Sequence, residues 1–254
     1  MKLRVLGCSG GIGAGLRTSA LLLDEDVLID AGTGVGDLDL DAMGRIDHVF
    51  VTHAHLDHVC SLPLLADSVG RARATPLTAY ATAEVLAALR AHVFNDSLWP
   101  DFTRLPRPEA PYLRLCPIRP GETVTLSGRR ITALAVEHGV PAVGFWLDSG
   151  AASLVFTGDT GPNQALWDQV NAIANLRYLL IETAFCERDR AIALAAHHLC
   201  PSLLAQELAK LRIPAQVFLT HLKPGDRAQI LAEVVQALGP KAPAALAQGQ
   251  VIEF

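Results

Sequence analysis

The chain lacks the features that mark several classes of protein. Lys and Arg number 21 against 26 Asp and Glu, a net charge of −5, which disfavours long nucleic acid as a partner because polyanions are attracted by basic surfaces. No segment reaches the roughly 20 apolar residues of a membrane span, and the first residues hold no secretory signal core, so we expect a cytoplasmic protein without membrane contact. The five scattered cysteines form no CxxC pair, which favours reduced thiols over a disulfide framework.

The composition is that of a folded globular protein. Half of the 254 residues are hydrophobic and 19% are charged, which is sufficient for a large core. No long Pro/Gly/Ser-rich linker divides the chain, so we expect a single domain over residues 1–254. The segment 95–117 is Pro-rich and predicts an irregular insert.

Hydrophobic patterning predicts a mixture of strands and helices. Predicted strands cover residues 3–8, 19–23, 27–30, 49–52, 131–136, 142–147, 153–156, 177–181, 217–220 and 251–254. Predicted helices cover residues 62–69, 82–92, 163–174, 201–211 and 227–238, and Thr82 can cap the second of them.

Two segments of the first half are echoed in the second half. Residues 49–53 (VFVTH) match residues 217–221 (VFLTH), and residues 28–34 (LIDAGTG) weakly match residues 155–161 (VFTGDTG). Two related halves that pack sheet to sheet, with helices outside, would bring these strand ends together at one rim. Chance similarity between short apolar segments is the alternative.

The segment from Thr52 to His58 carries the strongest chemical signal. It places three imidazoles and a carboxylate within six positions, directly after an apolar run. Neutral imidazole and carboxylate suit zinc and other borderline divalent metals, and a site without thiolates is typical of a catalytic metal centre. The alternative is a polar surface loop that is rich in His by chance.

Three further polar residues, His138, Asp159 and His221, each follow an apolar run. Each of them alone is more often an ordinary polar residue at a strand end. Taken with the cluster they form a set that can be divided over two divalent ions with one carboxylate as a bridge. Zinc is the favoured metal, and manganese or iron is accepted by the same donors. The seven candidate ligands are His53, His55, Asp57, His58, His138, Asp159 and His221.

The order HxHxDH, His, GDT and a late His resembles the metallo-β-lactamase superfamily, across the whole chain. The resemblance implies an α/β (α+β) fold, a four-layer αββα sandwich of two mixed β-sheets with helices outside and the metal centre at one edge. It also implies how the ligands divide: His53, His55 and His138 hold one metal, Asp57, His58 and His221 hold the other, and Asp159 bridges them.

Further segments resemble class II cyclic-nucleotide phosphodiesterases of that superfamily. They are residues 7–11 (GCSGG), 53–65, 94–102 (FNDSLWPDF), 198–201 (HLCP) and 220–224 (THLKP), with Pro63 as a departure from the family pattern. This resemblance implies hydrolysis of 3′,5′-cyclic AMP, or cyclic GMP, to the 5′-monophosphate by a hydroxide held between two metal ions.

Roles can be assigned to residues within this hypothesis. Asp57 would bind metal and orient the nucleophile, and Glu182 would set the tautomer of His198 so that the imidazole serves the phosphate or the leaving oxygen. His198 could instead cap a helix or be exposed. The insert at residues 95–117, near the active site, could recognise the base.

In the insert, Asn95 or Asp101 would read base or ribose edges, and Trp99 would stack with help from Phe94 and Phe102. The alternative is that the aromatic side chains only pack the insert onto the sandwich. The same aliphatic insert could serve a homodimer interface.

Several rival functions share the metal set. A tRNA 3′-processing nuclease usually carries a protruding arm between the third-motif His and the bridging Asp, and only 20 residues separate His138 from Asp159 here. A small-ester or thioester hydrolase and a phosphonate-pathway cyclic phosphodiesterase are further enzyme alternatives. A non-catalytic, metal-stabilised binding protein is the alternative from another class.

Overall fold

The computed structural model describes residues 1–254. Two seven-stranded mixed β-sheets pack face to face, and helices cover the outer face of each. The predicted four-layer αββα sandwich is therefore confirmed. None of its helices combines the length and the apolar character needed to span a membrane.

The first sheet is built from the first half of the chain and its last strand. It consists of β1 (Lys2–Gly7), β2 (Ala20–Leu23), β3 (Val27–Ile29), β4 (His48–Phe50), β5 (Leu77–Ala81), β6 (Leu113–Pro117) and β14 (Val251–Glu253), in the order β14–β1–β2–β3–β4–β5–β6. Pairing is antiparallel from β14 to β3 and parallel from β3 to β6. The parallel strands place their carboxyl ends at one edge.

The second sheet repeats this arrangement. It consists of β7 (Thr123–Leu126), β8 (Arg129–Ala135), β9 (Val143–Asp148), β10 (Ser153–Phe156), β11 (Leu176–Glu182), β12 (Gln216–Thr220) and β13 (Ala244–Ala245), in the order β13–β12–β11–β10–β9–β8–β7. Pairing is antiparallel from β7 to β10 and parallel from β10 to β13. Because two antiparallel steps separate β8 from β10, the carboxyl end of β8 lies at the same edge as those of β10, β11 and β12.

Eight α-helices complete the two outer layers. Those of the first half are α1 (Leu40–Arg45), α2 (Leu56–Val59), α3 (Ser61–Gly70) and α4 (Ala83–His92), and those of the second half are α5 (Ala165–Val170), α6 (Arg190–Ala195), α7 (Pro201–Leu208) and α8 (Arg227–Leu238). The predicted cap of α4 is confirmed, since Thr82 Oγ1 accepts a hydrogen bond from the N–H of Val85 at 3.3 Å.

Central strands such as β2, β3 and β10 are buried on both faces, which explains their continuous apolar runs. In β2, Leu21 and Leu23 pack between the two sheets and Leu22 packs under the helices, as the two-residue period of a strand requires. Phe50 joins the sheets, because its ring stacks on Tyr80 at 4.6 Å and meets the Phe145 ring edge-on at 5.5 Å. Full burial of one such side chain stabilises the fold by about 1.5–3 kcal/mol.

The structure departs from the predicted elements in a few places. The segment 95–117 was expected to be irregular, and this is wrong at its end, because Leu113–Pro117 forms the edge strand β6 on β5. The sequence pattern also missed β5, β7, β13, α1, α2 and α6. The helix expected over residues 163–174 is shorter and covers Ala165–Val170. Each of these elements is six residues long or shorter, so its local hydrophobic periodicity is weak.

An ion cluster connects the two sheets through residues that are more than 100 positions apart in the sequence. Arg129 at the start of β8 reaches the turn between β2 and β3, where its guanidinium donates to Asp24 at 3.0 Å and to both oxygens of Asp26 at 2.6 Å. Arg129 is nearly buried, and its hydrogen bonds hold the pKa of Asp26 below its usual value. Such bidentate, charge-assisted bonds are among the stronger polar contacts.

Replacing Arg129 by Ala should lower the free energy of unfolding at pH 7. We expect a loss of about 1–2 kcal/mol, reduced from the value of a buried charged hydrogen bond because the two carboxylates are about one-third exposed. Since the folded-state pKa of Asp26 is depressed, the contribution is complete above the unfolded pKa of about 3.9 and disappears as the pH falls through the folded value. Urea denaturation of both proteins at pH 7 and near pH 3 measures this.

The matched control is Arg119→Ala, since the Arg119 side chain is 85% exposed and its removal should leave the unfolding free energy nearly unchanged. A difference between wild type and Arg129→Ala that stays constant down to pH 3 would contradict the role given to Asp26.

Candidate metal centre

The seven predicted ligands meet at the shared edge where the strands of both sheets end. His53 follows β4, and the chain then turns directly into α2, which supplies two further side chains. The second sheet contributes the residues that follow β8, β10 and β12. Because parallel strands present their carboxyl ends together, side chains distant in sequence converge here. The convergent residues are His53, His55, Asp57, His58, His138, Asp159 and His221.

One subset forms a compact nitrogen-rich cluster. The Nδ1 atom of His55 lies 3.0 Å from Nε2 of His53 and 3.4 Å from Nε2 of His138. With Asp159, the donor atoms of these residues all lie within 4.8 Å of one another. Two nitrogens bound to one tetrahedral zinc are about 3.3 Å apart for the usual Zn–N distance, so the observed spacing fits a divalent ion of this size.

A second subset lies beside the first. Nε2 of His58 and Nε2 of His221 each lie 3.7 Å from Oδ2 of Asp57, and the donor atoms of these three residues lie within 4.8 Å of one another. The imidazoles of His58 and His221 are buried, whereas the Asp57 side chain is 28% exposed. The carboxylate of Asp57 therefore forms the open side of this cluster.

The carboxylate of Asp159 lies between the two subsets. Its Oδ2 is 3.7 Å from Nε2 of His53 and 3.4 Å from Nε2 of His58, and its Oδ1 is 3.2 Å from Nδ1 of His221. One carboxylate thus faces imidazoles of both groups, as a bridging ligand must.

The buried imidazoles are suited to bind metal as neutral donors. Burial, with a further contribution from the other imidazoles, holds the pKa of His53 well below its usual value, and burial lowers the pKa of His221 to about 4. His138 Nδ1 lies 3.1 Å from the carbonyl oxygen of His197, to which it donates when protonated, and this leaves Nε2 with its lone pair toward the cluster.

An unpartnered atom shows that the residues fit a cation. His58 is completely buried, and its Nε2 has no hydrogen-bond partner although Asp57 and Asp159 lie nearby. Burial alone would lower the pKa of His58, but the carboxylates of Asp159 and Asp30 outweigh it and raise the pKa well above its usual value. A site that stabilises positive charge at this position so strongly accepts a metal ion in place of the proton.

Asp30 is a site residue that the sequence reasoning missed. Its fully buried carboxylate accepts from His58 Nδ1 at 2.7 Å and from the N–H of Thr52 at 2.7 Å. It directs Nε2 of His58 toward Asp57 and Asp159, a role typical of a carboxylate behind a ligating imidazole. The available signal was the Asp turn after β3, noted only as part of an internal echo.

Glu182 and His198 form the expected pair beside the cluster. His198 Nδ1 lies 2.6 Å from Glu182 Oε1, and Glu182 Oε2 also accepts from the N–H groups of Ala184 and Leu199 at 3.0 and 3.2 Å. Burial alone would lower the pKa of His198, but the Glu182 carboxylate more than offsets it and raises the pKa. Donor atoms of His198, Asp159 and His221 lie within 4.8 Å of one another.

Asn95 and Asp101, two predicted substrate contacts, are engaged within the insert itself. Asn95 Oδ1 accepts from the N–H groups of Ser97 at 3.0 Å and Leu98 at 2.8 Å. The carboxylate of Asp101 accepts from the guanidinium of Arg104 at 2.6 Å. These polar groups stabilise turns, so their presentation to a ligand would require breaking local bonds.

The aromatic side chains of the insert are mostly buried. Phe94 and Phe102 are 2% and 5% exposed and pack in the core between the first sheet and its helices. The expectation that they stack on a base is therefore wrong, because neither ring has a free face. Trp99 is only partly buried against the same core, and its indole N–H has no hydrogen-bond partner.

Replacing Asp30 by Asn should weaken metal binding while the fold is retained. Asn keeps the shape but loses the charge that supports the His58 imidazole, so we expect the affinity for Zn²⁺ at one site to fall by about 10- to 100-fold. Competitive titration with a zinc chelator measures this affinity. Asp41→Asn, on the exposed surface of α1, is the control, and equal affinities in both variants would contradict the role of Asp30.

The chain is similar to known proteins over most of its length. Residues 25–222 match the family described as beta-lactamase superfamily domain. A probable 3′,5′-cyclic-nucleotide phosphodiesterase from Yersinia pestis is 25% identical over an alignment of 277 positions, gaps included. The alignment covers 86% of this chain and 77% of that relative. Ribonuclease BN from Citrobacter koseri is 28% identical over 160 residues, which cover 58% of this chain and half of that relative.

A solved structure extends the likeness to the whole fold. The crystal structure of unliganded yeast PDE1 matches with a TM-score of 0.81 at 17% identity, covering 98% of both chains. The family match spans most of the chain. This chain belongs to the metallo-β-lactamase superfamily and, within it, resembles the 3′,5′-cyclic-nucleotide phosphodiesterases.

Proposed function

We propose that this protein is a dinuclear metal-dependent phosphodiesterase that hydrolyses 3′,5′-cyclic AMP, and by the same chemistry cyclic GMP, to the 5′-monophosphate. The observation that carries the proposal is the position of the Glu182–His198 pair directly beside two adjoining ligand clusters that share Asp159. A phosphodiester needs a centre that stabilises negative charge on its oxygens and a group that protonates the leaving oxygen.

The chain provides imidazole and carboxylate donors for two divalent ions, and we propose zinc, which such donors bind in catalytic sites that keep an open position. When bound, such ions supply Lewis acidity toward phosphate oxygens and acidify water. His53, His55 and His138 would hold one ion, Asp57, His58 and His221 the other, and Asp159 would contact both.

His198 is placed to donate a proton to the leaving oxygen of the substrate. Glu182 accepts from Nδ1, which leaves Nε2 to hold a proton for the substrate. In the reaction an oxygen from water forms a bond to phosphorus, the water releases one proton to the solvent, and the bond from phosphorus to the 3′-oxygen breaks. We propose that His198 Nε2 donates its proton to that 3′-oxygen, and the Glu182 carboxylate, which raises the pKa of His198, favours the protonated ring.

Three observations favour a small cyclic nucleotide over a long RNA. The likeness to the cyclic-nucleotide phosphodiesterase extends over 86% of the chain, against 58% for the ribonuclease. The connection from His138 to Asp159 is filled by β9, a four-residue turn and β10, so it carries no protruding arm. The net charge of −5 also gives no general attraction for a polyanion.

A tRNA 3′-processing endonuclease is the second candidate. It is favoured by the likeness to ribonuclease BN and would use the same ligand set and the same acid. The two candidates differ in substrate size and not in the chemistry at phosphorus.

A product assay distinguishes them. Zinc-loaded protein is incubated with 3′,5′-cyclic AMP, 2′,3′-cyclic AMP or a precursor tRNA, and the products are separated by chromatography. We expect 5′-AMP from the first substrate, and a loss of at least 100-fold in rate for His55→Ala because one metal site loses a ligand. Cleavage of precursor tRNA without formation of 5′-AMP would replace the cyclic-nucleotide assignment by the ribonuclease one.

We propose that Trp99 contacts the base, since of the three aromatic residues Phe94, Trp99 and Phe102 it alone keeps part of its surface exposed. Trp99→Ala should raise the Michaelis constant for cyclic AMP roughly tenfold, as expected for loss of one stacking contact, with turnover within about twofold of wild type. Steady-state kinetics and thermal unfolding are measured together.

Phe102→Leu is the control for this experiment, because Phe102 packs the insert without a free face. It should lower the melting temperature and leave the Michaelis constant unchanged. An unchanged Michaelis constant in Trp99→Ala would remove Trp99 from the nucleotide site.

A further inference from the structure

The loop after β1 lies directly against the strand end that carries His221. The N–H of His221 donates to the carbonyl oxygen of Cys8 at 2.8 Å, and the N–H of Gly10 donates to the carbonyl oxygen of Leu222 at 3.0 Å. Thr220 Oγ1 donates to the same Cys8 oxygen at 3.3 Å. Three hydrogen bonds thus tie the loop to the residues on either side of the imidazole.

These contacts hold His221 in an unusual backbone conformation. Its φ of 61° lies in the left-handed region, which a side chain with a Cβ adopts rarely and at a cost. The strand β12 ends at Thr220, so His221 is the residue at which the chain leaves the sheet. The conformation persists because the loop bonds to residues 220–222 fix the backbone before and after it.

Gly10 lies against the imidazole itself. A Cβ on Gly10 would be 2.4 Å from the carbonyl oxygen of His221 and 2.9 Å from Cδ2 of its ring. Both distances are too short for real contacts, so only glycine permits the observed position of the ring. At the adjacent Gly11 a Cβ would meet only Pro224, at 3.0 Å.

We propose that the loop of residues 8–10 is a positioning element for the second metal site, and that Gly10 sets the place of the His221 imidazole. The loop contains none of the seven ligands, and its hydrogen bonds described above go to residues 220–222, which include His221. It therefore controls occupancy of the site formed by Asp57, His58 and His221 without acting on the site formed by His53, His55 and His138. The inference rests on the two-ion centre of the proposed function, but not on the identity of the substrate.

The test is zinc binding by Gly10→Ala. Wild-type protein is expected to retain two zinc ions per chain after dialysis, and the variant one, because the added methyl group displaces the imidazole of His221. Elemental analysis gives the stoichiometry, and chelator competition gives the two dissociation constants. We expect the weaker-bound zinc to lose at least tenfold in affinity and the tighter-bound zinc to change by less than twofold.

Two further variants separate positioning from a general loss of structure. Gly11→Ala is the matched control and should bind two zinc ions with wild-type affinity. In a His221→Ala background, Gly10→Ala should cause no additional loss of zinc, because the ring through which it acts is absent. Thermal unfolding is recorded for every variant.

Thr220→Val keeps the proposal testable where Gly10→Ala does not fold. It removes only the hydroxyl bond to Cys8 and should weaken one zinc site several-fold, with the other unchanged. Two zinc ions bound with wild-type affinity by Gly10→Ala, or an equal weakening of both sites, would overturn the inference. A wild-type protein that binds two zinc ions but hydrolyses no cyclic nucleotide would contradict the proposed function and leave this inference standing.

Discussion

Two completely buried carboxylates, Asp30 and Glu182, determine the arrangement of the metal centre. Each would be costly to bury alone, and each is stabilised by hydrogen bonds from the backbone and from one imidazole. Asp30 accepts from His58 and Glu182 accepts from His198, at 2.7 and 2.6 Å. Because these bonds occupy Nδ1, both rings present Nε2 to the cluster. The orientation of the His58 and His198 rings at the edge of the sandwich thus depends on the two buried carboxylates behind them.

In both sheets a buried carboxylate lies beside the strand end that is followed by metal ligands. In the first sheet Asp30 follows β3, and the first ligands follow its parallel neighbour β4. In the second sheet Glu182 ends β11, and His221 follows its parallel neighbour β12. The sequence echo between residues 49–53 and 217–221 reflects this repetition. Each sheet contributes a rigid frame on one side of the centre, so strand pairing fixes the points at which the ligand-bearing segments leave the sheets.

Much of this arrangement could be predicted from sequence, and the limits have physical causes. His53, His55, Asp57 and His58 were predictable because their spacing is local and directly follows a strand. The role of Asp30 was not, because its partner His58 is 28 residues away and only the fold brings them together. The aromatic residues of the insert show the other limit, since Phe94 could face solvent or the core with the same sequence, and burial decided against a stacking role.

The place of the last strand has a consequence for biosynthesis. Chains leave the ribosome from the amino end, and β14 pairs with β1 at the edge of the first sheet, so that sheet stays incomplete until residue 253 has been made. The ligands His53, His55, His138 and Asp159 are all translated before the loop of residues 8–10 can meet residues 220–222. The nascent chain therefore acquires the full donor set of one site about 60 residues before that of the other. The donor set is therefore synthesised sequentially, and His221 is the last of the seven ligands to be made.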